Sequence, residues 1–251
     1  MNLLNLIARS TVHLVIMDKA THEPVRYGSG CVVKYRNKLI VLSVDHVTRI
    51  RGLQTYALIE TGGPAKDGQI SWYSTGGLVC FDQFKLEGIG TGDLSRVTIS
   101  EEDPLDVTFT AVKDDIVLMQ KGFIYYGEEI EGGQKVFPVL DYATLPDAKE
   151  EFGFCGFIKH DIFGKTIKSD ITIKLGLSYR ETSDGFHLFN TPDLVTDIAE
   201  YEGTSGSPIF DFEGRLVGLV CIVLENSRSV WAFPIDYCRR LIDIAIDSGL
   251  I

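Results

Sequence analysis

Short runs of apolar and β-branched residues, cut by polar or Gly-rich stretches, dominate the pattern of the chain. Ser10 to Met17 (Ser-Thr-Val-His-Leu-Val-Ile-Met) reads as a strand. Beyond a polar loop at 18–26, Tyr27-Gly28-Ser29-Gly30-Cys31-Val32-Val33 and Leu39-Ile40-Val41-Leu42-Ser43-Val44 flank a polar turn at Arg36-Asn37-Lys38, which signals a hairpin. Gly28 and Gly30 permit close backbone packing there. Further strands are expected at 54–60, 70–73, 78–81, 97–99 and 106–112, and a second set at 151–158, 167–177, 185–190, 208–212, 216–224 and 230–233. Between the sets, Gly127-Glu128-Glu129, Glu131-Gly132-Gly133, Pro138 and Pro146 mark a connection. The expected division is a first half at 1–120, a connection at 121–150 and a second half at 151–251. Helical periodicity is expected only at the end, where Ile235, Cys238, Ile242 and Ala245 share one helix face that Gly249 can close. Many short strands with turn residues between them indicate an all-β barrel or sandwich.

Composition narrows the class. The 251 residues, 45% hydrophobic, suffice for a large core in one two-part domain or two small ones. No run approaches the ~18 apolar residues of a membrane span. The stretch Met1 to Arg9 lacks the basic segment and apolar length of a signal peptide. A cytoplasmic protein without membrane contact is expected. A formal net charge of −11 argues against a nucleic-acid surface, which needs clustered Lys and Arg. Cys31, Cys80, Cys155, Cys221 and Cys238 form an odd set, mostly within apolar runs, and are expected to be reduced and structural. None shows the Cys/His spacing of a zinc site, so neither metal nor cofactor is expected.

The candidate chemistry centres on Gly203-Thr204-Ser205-Gly206-Ser207-Pro208. A small hydroxyl between glycines, with β-type sequence behind it, suits a serine nucleophile flanked by free backbone N–H groups; a plain Gly/Ser/Pro turn between strands fits the same letters. A nucleophilic serine needs a base, and the base needs an orienting carboxylate. Among five histidines, His46 stands just past a strand end in Ser43-Val44-Asp45-His46-Val47. His13 alternates with apolar neighbours as a strand histidine, His22 is in a loop, and His160 and His187 have no informative flank. Asp106 opens the expected strand 106–112; Asp82, Asp93 and Asp103 are its rivals in polar turns. Asp45, on an extended backbone, would point away from His46. The order His46, Asp106, Ser205, with no histidine after the serine, excludes the α/β-hydrolases. The near absence of helical pattern disfavours the subtilisin arrangement.

These pieces resemble the trypsin-like (chymotrypsin-fold) serine peptidases, in the style of the HtrA type. The matching stretches are Gly28-Ser29-Gly30-Cys31-Val32-Val33, Leu42-Ser43-Val44-Asp45-His46-Val47, Leu105-Asp106-Val107-Thr108-Phe109, Glu202 to Phe210, Glu213-Gly214-Arg215-Leu216-Val217-Gly218-Leu219 and Trp231-Ala232-Phe233-Pro234-Ile235-Asp236. The resemblance implies two six-stranded antiparallel β-barrels and a C-terminal helix, the first barrel carrying His46 and Asp106 and the second Ser205. It implies Ser205 as nucleophile, His46 as base, Asp106 as its orienter and the N–H groups of Gly203 and Ser205 as oxyanion donors. Ala199, Cys221, Ile222, Val223 and Trp231 would form a mostly apolar substrate pocket, favouring cleavage after a medium apolar residue. Thr204, where many members carry Asp, disfavours activation through a processed N-terminus. The long interval from His46 to Asp106 implies inserted loops or a hairpin within 61–95, and no PDZ module is expected after the last helix. The expected partners are a protein or peptide substrate and an activating protein. The alternative is a catalytically silent barrel that binds peptide, and a viral 3C-like processing protease is a third reading.

Overall fold

The run that reads as continuous apolar sequence near the start becomes β1 (Thr11–Asp18), a strand buried on both faces. It is central because β2 (Pro24–Tyr35) pairs with it on one side and β4 (Thr55–Pro64) on the other. The computed structural model describes residues 2–64, 70–86, 97–142, 144–163 and 166–251. With β3 (Lys38–Ser43), β5 (Ile70–Gly76), β6 (Val79–Leu86) and β7 (Val97–Val112), the first half forms one antiparallel sheet of seven strands in the order β5-β4-β1-β2-β3-β7-β6.

This corrects the expectation of a closed six-stranded first barrel. The strands β5 and β6 are neighbours in sequence yet stand at opposite edges of the sheet, joined only by Gly77 and Leu78. The sheet is therefore curled round so that its edges approach, but among the described residues no ladder pairs them. The left-handed φ of +78° at Gly76 redirects the chain where a hairpin would otherwise form. The expected extra hairpin is the β6–β7 ribbon, and part of the 61–95 stretch lies outside the described residues.

The second half is a closed barrel, β12-β13-β14-β17-β16-β15, as the sequence predicts. It is built from β12 (Glu151–Phe163), β13 (Thr166–Ser183), β14 (Phe186–Asn190), β15 (Pro208–Asp211), β16 (Leu216–Val223) and β17 (Ser229–Pro234). Phe152, Phe154, Phe189, Ile209 and Val217 fill it. Between the halves run two small ribbons, β8 (Met119–Gln120) with β11 (Gly133–Gln134) and β9 (Phe123–Tyr125) with β10 (Glu128–Ile130).

Among the described residues, three α-helices complete the fold. The expected terminal helix is α3 (Ile235–Asp247), burying Ile235, Cys238, Leu241, Ile242 and Ala245. It is tied to the β2–β3 turn by Arg36, which pairs with Asp243 at 3.0 Å and Asp247 at 2.8 Å. Two helices were not expected. In α1 (Leu3–Ser10), Asn2 caps the N-terminus by accepting from the Asn5 N–H at 2.9 Å, and Ile7 is fully buried. This helix packs on β12 and β15, strands of the second half. The other, α2 (Asp45–Thr48), is a single turn that replaces the extended backbone expected at His46. Among the described residues, no helix is long and apolar enough to cross a membrane.

Candidate active site

His46 sits on the single turn α2, directly after β3, and Asp106 sits within β7, the strand that pairs with β3. The turn brings them together: His46 Nδ1 lies 2.9 Å from both Asp106 carboxylate oxygens, and the His46 N–H donates to Asp106 Oδ1 at 3.1 Å. A carboxylate that embraces Nδ1 retains the proton there and leaves Nε2 basic. Burial works to raise the Asp106 carboxyl, but hydrogen bonds and charge from His46, with the Cys221 thiol beside it, hold it below the usual carboxylate range. Of its rivals, Asp82 lies on β6, Asp103 on β7, and Asp93 outside the described residues.

The Gly203–Pro208 stretch is a tight turn leading into β15. Gly203 and Gly206 adopt left-handed φ values of +100° and +88°, and both need the absence of a side chain. A Cβ on Gly206 would lie 2.0 Å from the Ser29 carbonyl, and one on Gly203 would lie 2.4 Å from the Phe157 carbonyl. Hydrogen bonds pin the turn to both halves. The Ser29 N–H donates to the Ser205 carbonyl at 3.0 Å and the Gly206 N–H to the Val220 carbonyl at 2.7 Å. Ser29 Oγ donates to the Gly203 carbonyl at 2.8 Å and accepts from the Phe157 N–H at 3.0 Å, while Ser43 Oγ donates to the Ser29 carbonyl at 2.8 Å. The N–H groups of Gly203 and Ser205 have no partner among the described residues. Ser205 Oγ donates to the Cys221 carbonyl at 3.2 Å and makes no hydrogen bond to His46.

A cleft of ≈ 570 Å³ runs between the halves and has His46, Asp106, Gly203, Ser205 and Cys221 on its walls. Its apolar side is made by Ile198, Tyr201, Ile222 and Val223. Ala199 and Trp231 do not line it. Ala199 lies on the short helical turn Ile198–Glu200, and Trp231 packs against the Phe186 ring at 5.9 Å. Asp45 lines the cleft beside His46, because the backbone there is helical where an extended one was expected. Glu200 pairs with Lys174 at 2.7 Å, and the Lys174 ammonium lies 4.3 Å from the centre of the Tyr201 ring, which stiffens the cleft's apolar wall.

Sequence reasoning did not single out Ser29, although its Gly-Ser-Gly setting marks a close backbone approach. The other histidines do not line the cleft, although the His160 ring lies against Gly203 from behind. His22 meets the Tyr56 hydroxyl at 3.1 Å and His187 meets Thr182 Oγ1 at 2.7 Å. His13 is buried with Nδ1 on Glu60 at 3.1 Å, and His160 stacks on Tyr27 with ring centres 4.7 Å apart.

A curled sheet and a closed barrel around one cleft form a fold that solved serine endoproteases share. A serine endoprotease from Yersinia pestis is similar at a TM-score of 0.50 and 12% identity, over 98% of this chain and 66% of that one. The chain thus spans about two-thirds of that protein's length. The MamO protease domain from Magnetospirillum magneticum is similar at a TM-score of 0.45 and 11% identity, covering 95% and 98% of the two chains. For the HtrA-type protease AlgW with a tripeptide the figures are 0.48, 13%, 99% and 64%. No family model and no curated protein matches the sequence.

Proposed function

We propose that the chain is a serine endopeptidase that cleaves peptide bonds through an acyl-enzyme. The observation that carries this reading is His46 Nδ1 held by both Asp106 oxygens at 2.9 Å, on the wall of the cleft that also holds Ser205. Ser205 Oγ attacks the scissile carbonyl. His46 Nε2 takes its proton and returns it to the leaving amine, and Asp106 stabilises the imidazolium between the two steps. The unpartnered N–H groups of Gly203 and Ser205 supply the oxyanion donors.

In the resting arrangement the Ser205 hydroxyl is engaged by the Cys221 carbonyl. Turnover requires it to rotate to His46, and the carbonyl so released can accept a substrate backbone N–H. This resting contact supports a regulated protease that a peptide or protein partner switches on. The walls of Ile198, Tyr201, Ile222 and Val223 suit a medium apolar residue before the scissile bond. Glu200 is already paired with Lys174, which weakens the case for a basic residue there.

A fluorophosphonate probe tests the reading. Wild type is expected to label and Ser205→Ala to remain unlabelled, and Asp106→Asn to lower turnover by about 10⁴ as tautomer control is lost. A wild-type protein that never labels, with or without peptide, sinks the proposal.

A further inference from the structure

Behind the nucleophile turn lies a second cavity of ≈ 320 Å³ that shares no lining residue with the cleft. It is assembled from both halves: His13 and Glu60 come from β1 and β4, Lys135 from the connection, and Phe157 and Ile171 from β12 and β13. Lys135 is 7% exposed, an unusual place for an ammonium group. Its Nζ donates to the Thr11 carbonyl at 2.5 Å and to Gln120 Oε1 at 2.8 Å, and its third N–H has no acceptor among the described residues. Burial lowers its pKa to about 8 despite the opposing charge of Glu60, and the Phe157 ring centre lies 5.7 Å from Nζ. His13 is 1% exposed and its Nε2 is likewise without a partner among the described residues. Glu60, on Nδ1 of His13 at 3.1 Å, is the acid on the wall, opposed by Lys135 and by Lys121.

We propose that this cavity is an effector site for a small organic monocarboxylate. The carboxylate accepts from the third N–H of Lys135, and a short alkyl tail lies against Phe157 and Ile171. The chemistry selects that class. A buried ammonium with one N–H to spare calls for one anionic acceptor, Glu60 repels a second negative charge, and the apolar side of the cavity leaves room for a few carbons.

The cavity reaches the turn through Phe157, and beside it the His13 ring centre lies 5.0 Å from that of His160, whose ring adjoins Gly203. The Phe157 ring lines the cavity, stacked 4.7 Å from His13. Its N–H is held by Ser29 Oγ, the hydroxyl that also holds the Gly203 carbonyl, and its own carbonyl abuts Gly203. A ligand that fixes Phe157 therefore favours one arrangement of Gly203. This effect on proteolysis rests on the function proposed above.

The test uses the full chain with a fluorinated butyrate followed by fluorine NMR, at matched ionic strength. Wild type is expected to bind saturably, Ser205→Ala to bind as wild type does, and Lys135→Met to bind at least about tenfold more weakly. Glu60→Gln, which removes the repelling charge, is expected to bind several-fold more tightly. Saturating butyrate is expected to change the fluorophosphonate labelling rate of Ser205 several-fold. Non-saturable binding, equal binding by Lys135→Met or Glu60→Gln and wild type, loss of binding in Ser205→Ala, or full displacement by phosphate each overturns the site. An unchanged labelling rate under bound butyrate overturns its role as an effector. Binding intact in a protein that never labels overturns the peptidase reading and leaves the site standing.

Discussion

At the scale of single residues, Ser29 is the hinge between structure and chemistry. It is fully buried, and its hydroxyl serves Phe157 and Gly203 together while its N–H holds the Ser205 carbonyl. Ser29→Ala strands a buried N–H and a buried carbonyl, each costing about 1–3 kcal/mol. It is expected to lower unfolding stability in urea by a few kcal/mol and to slow fluorophosphonate labelling by about 10²-fold, through misplacement of the turn. His46, Asp106 and Ser205 stood out because each has a distinctive local setting: a strand end, a carboxylate heading an apolar β run, a Gly-flanked hydroxyl. Asp106 nevertheless lies inside β7 and not at a strand's start, the expected strands 97–99 and 106–112 being one. The role of Ser29 was not legible, because it exists only in contacts with residues far along the chain. Asp45 was misplaced for a simpler reason. One turn of helix at Asp45–Thr48 is too short to leave a period in the sequence.

Among the elements, α1 has most to teach. Leu3, Leu6 and Ile7 already show helical spacing, but the element is shorter than the window in which a period can be told from chance. Its stability comes from packing: Leu6 approaches Gly214 and Ile7 approaches Gly153, both in the second half. Ile7→Ala is expected to destabilise the protein by about 2–5 kcal/mol, read from the urea midpoint at unchanged slope. A value below 1 kcal/mol would show that the helix is dispensable. The strands of the barrel were legible from their apolar runs. The open edge of the first sheet was not, because closure is decided by whether β5 and β6 pair, and apolar pattern is the same in either case.

The whole molecule registers its buried charges as a dependence of stability on pH. Burial holds Lys135 near 8 against an ordinary 10.5, so between those values the unfolded chain binds more protons than the folded one and stability rises with pH. The slope attributable to this one group reaches at most about 1.4 kcal/mol per pH unit and is expected to vanish in Lys135→Met. His160 acts in the acid range. Burial and the neighbouring His13 lower it to about 4 from an ordinary 6.5, so stability is expected to fall as pH drops from 6.5 towards 4. Urea unfolding across both ranges measures the two limbs, and a flat profile would contradict both assignments.

The seating of α1 on β12 and β15 also sets a timetable for synthesis. One of the strands that support the helix, Pro208–Asp211, emerges roughly 200 residues after it, about 10–40 s at ordinary elongation rates. Until then Leu6 lacks the Gly214 turn to bury against, and the turn at 203–208, made just before β15, does not yet have Val220 to hold it. Around α1 the nascent chain is thus expected to be a client for a holdase, and the turn that carries Ser205 to stay unformed, until β16 has been translated.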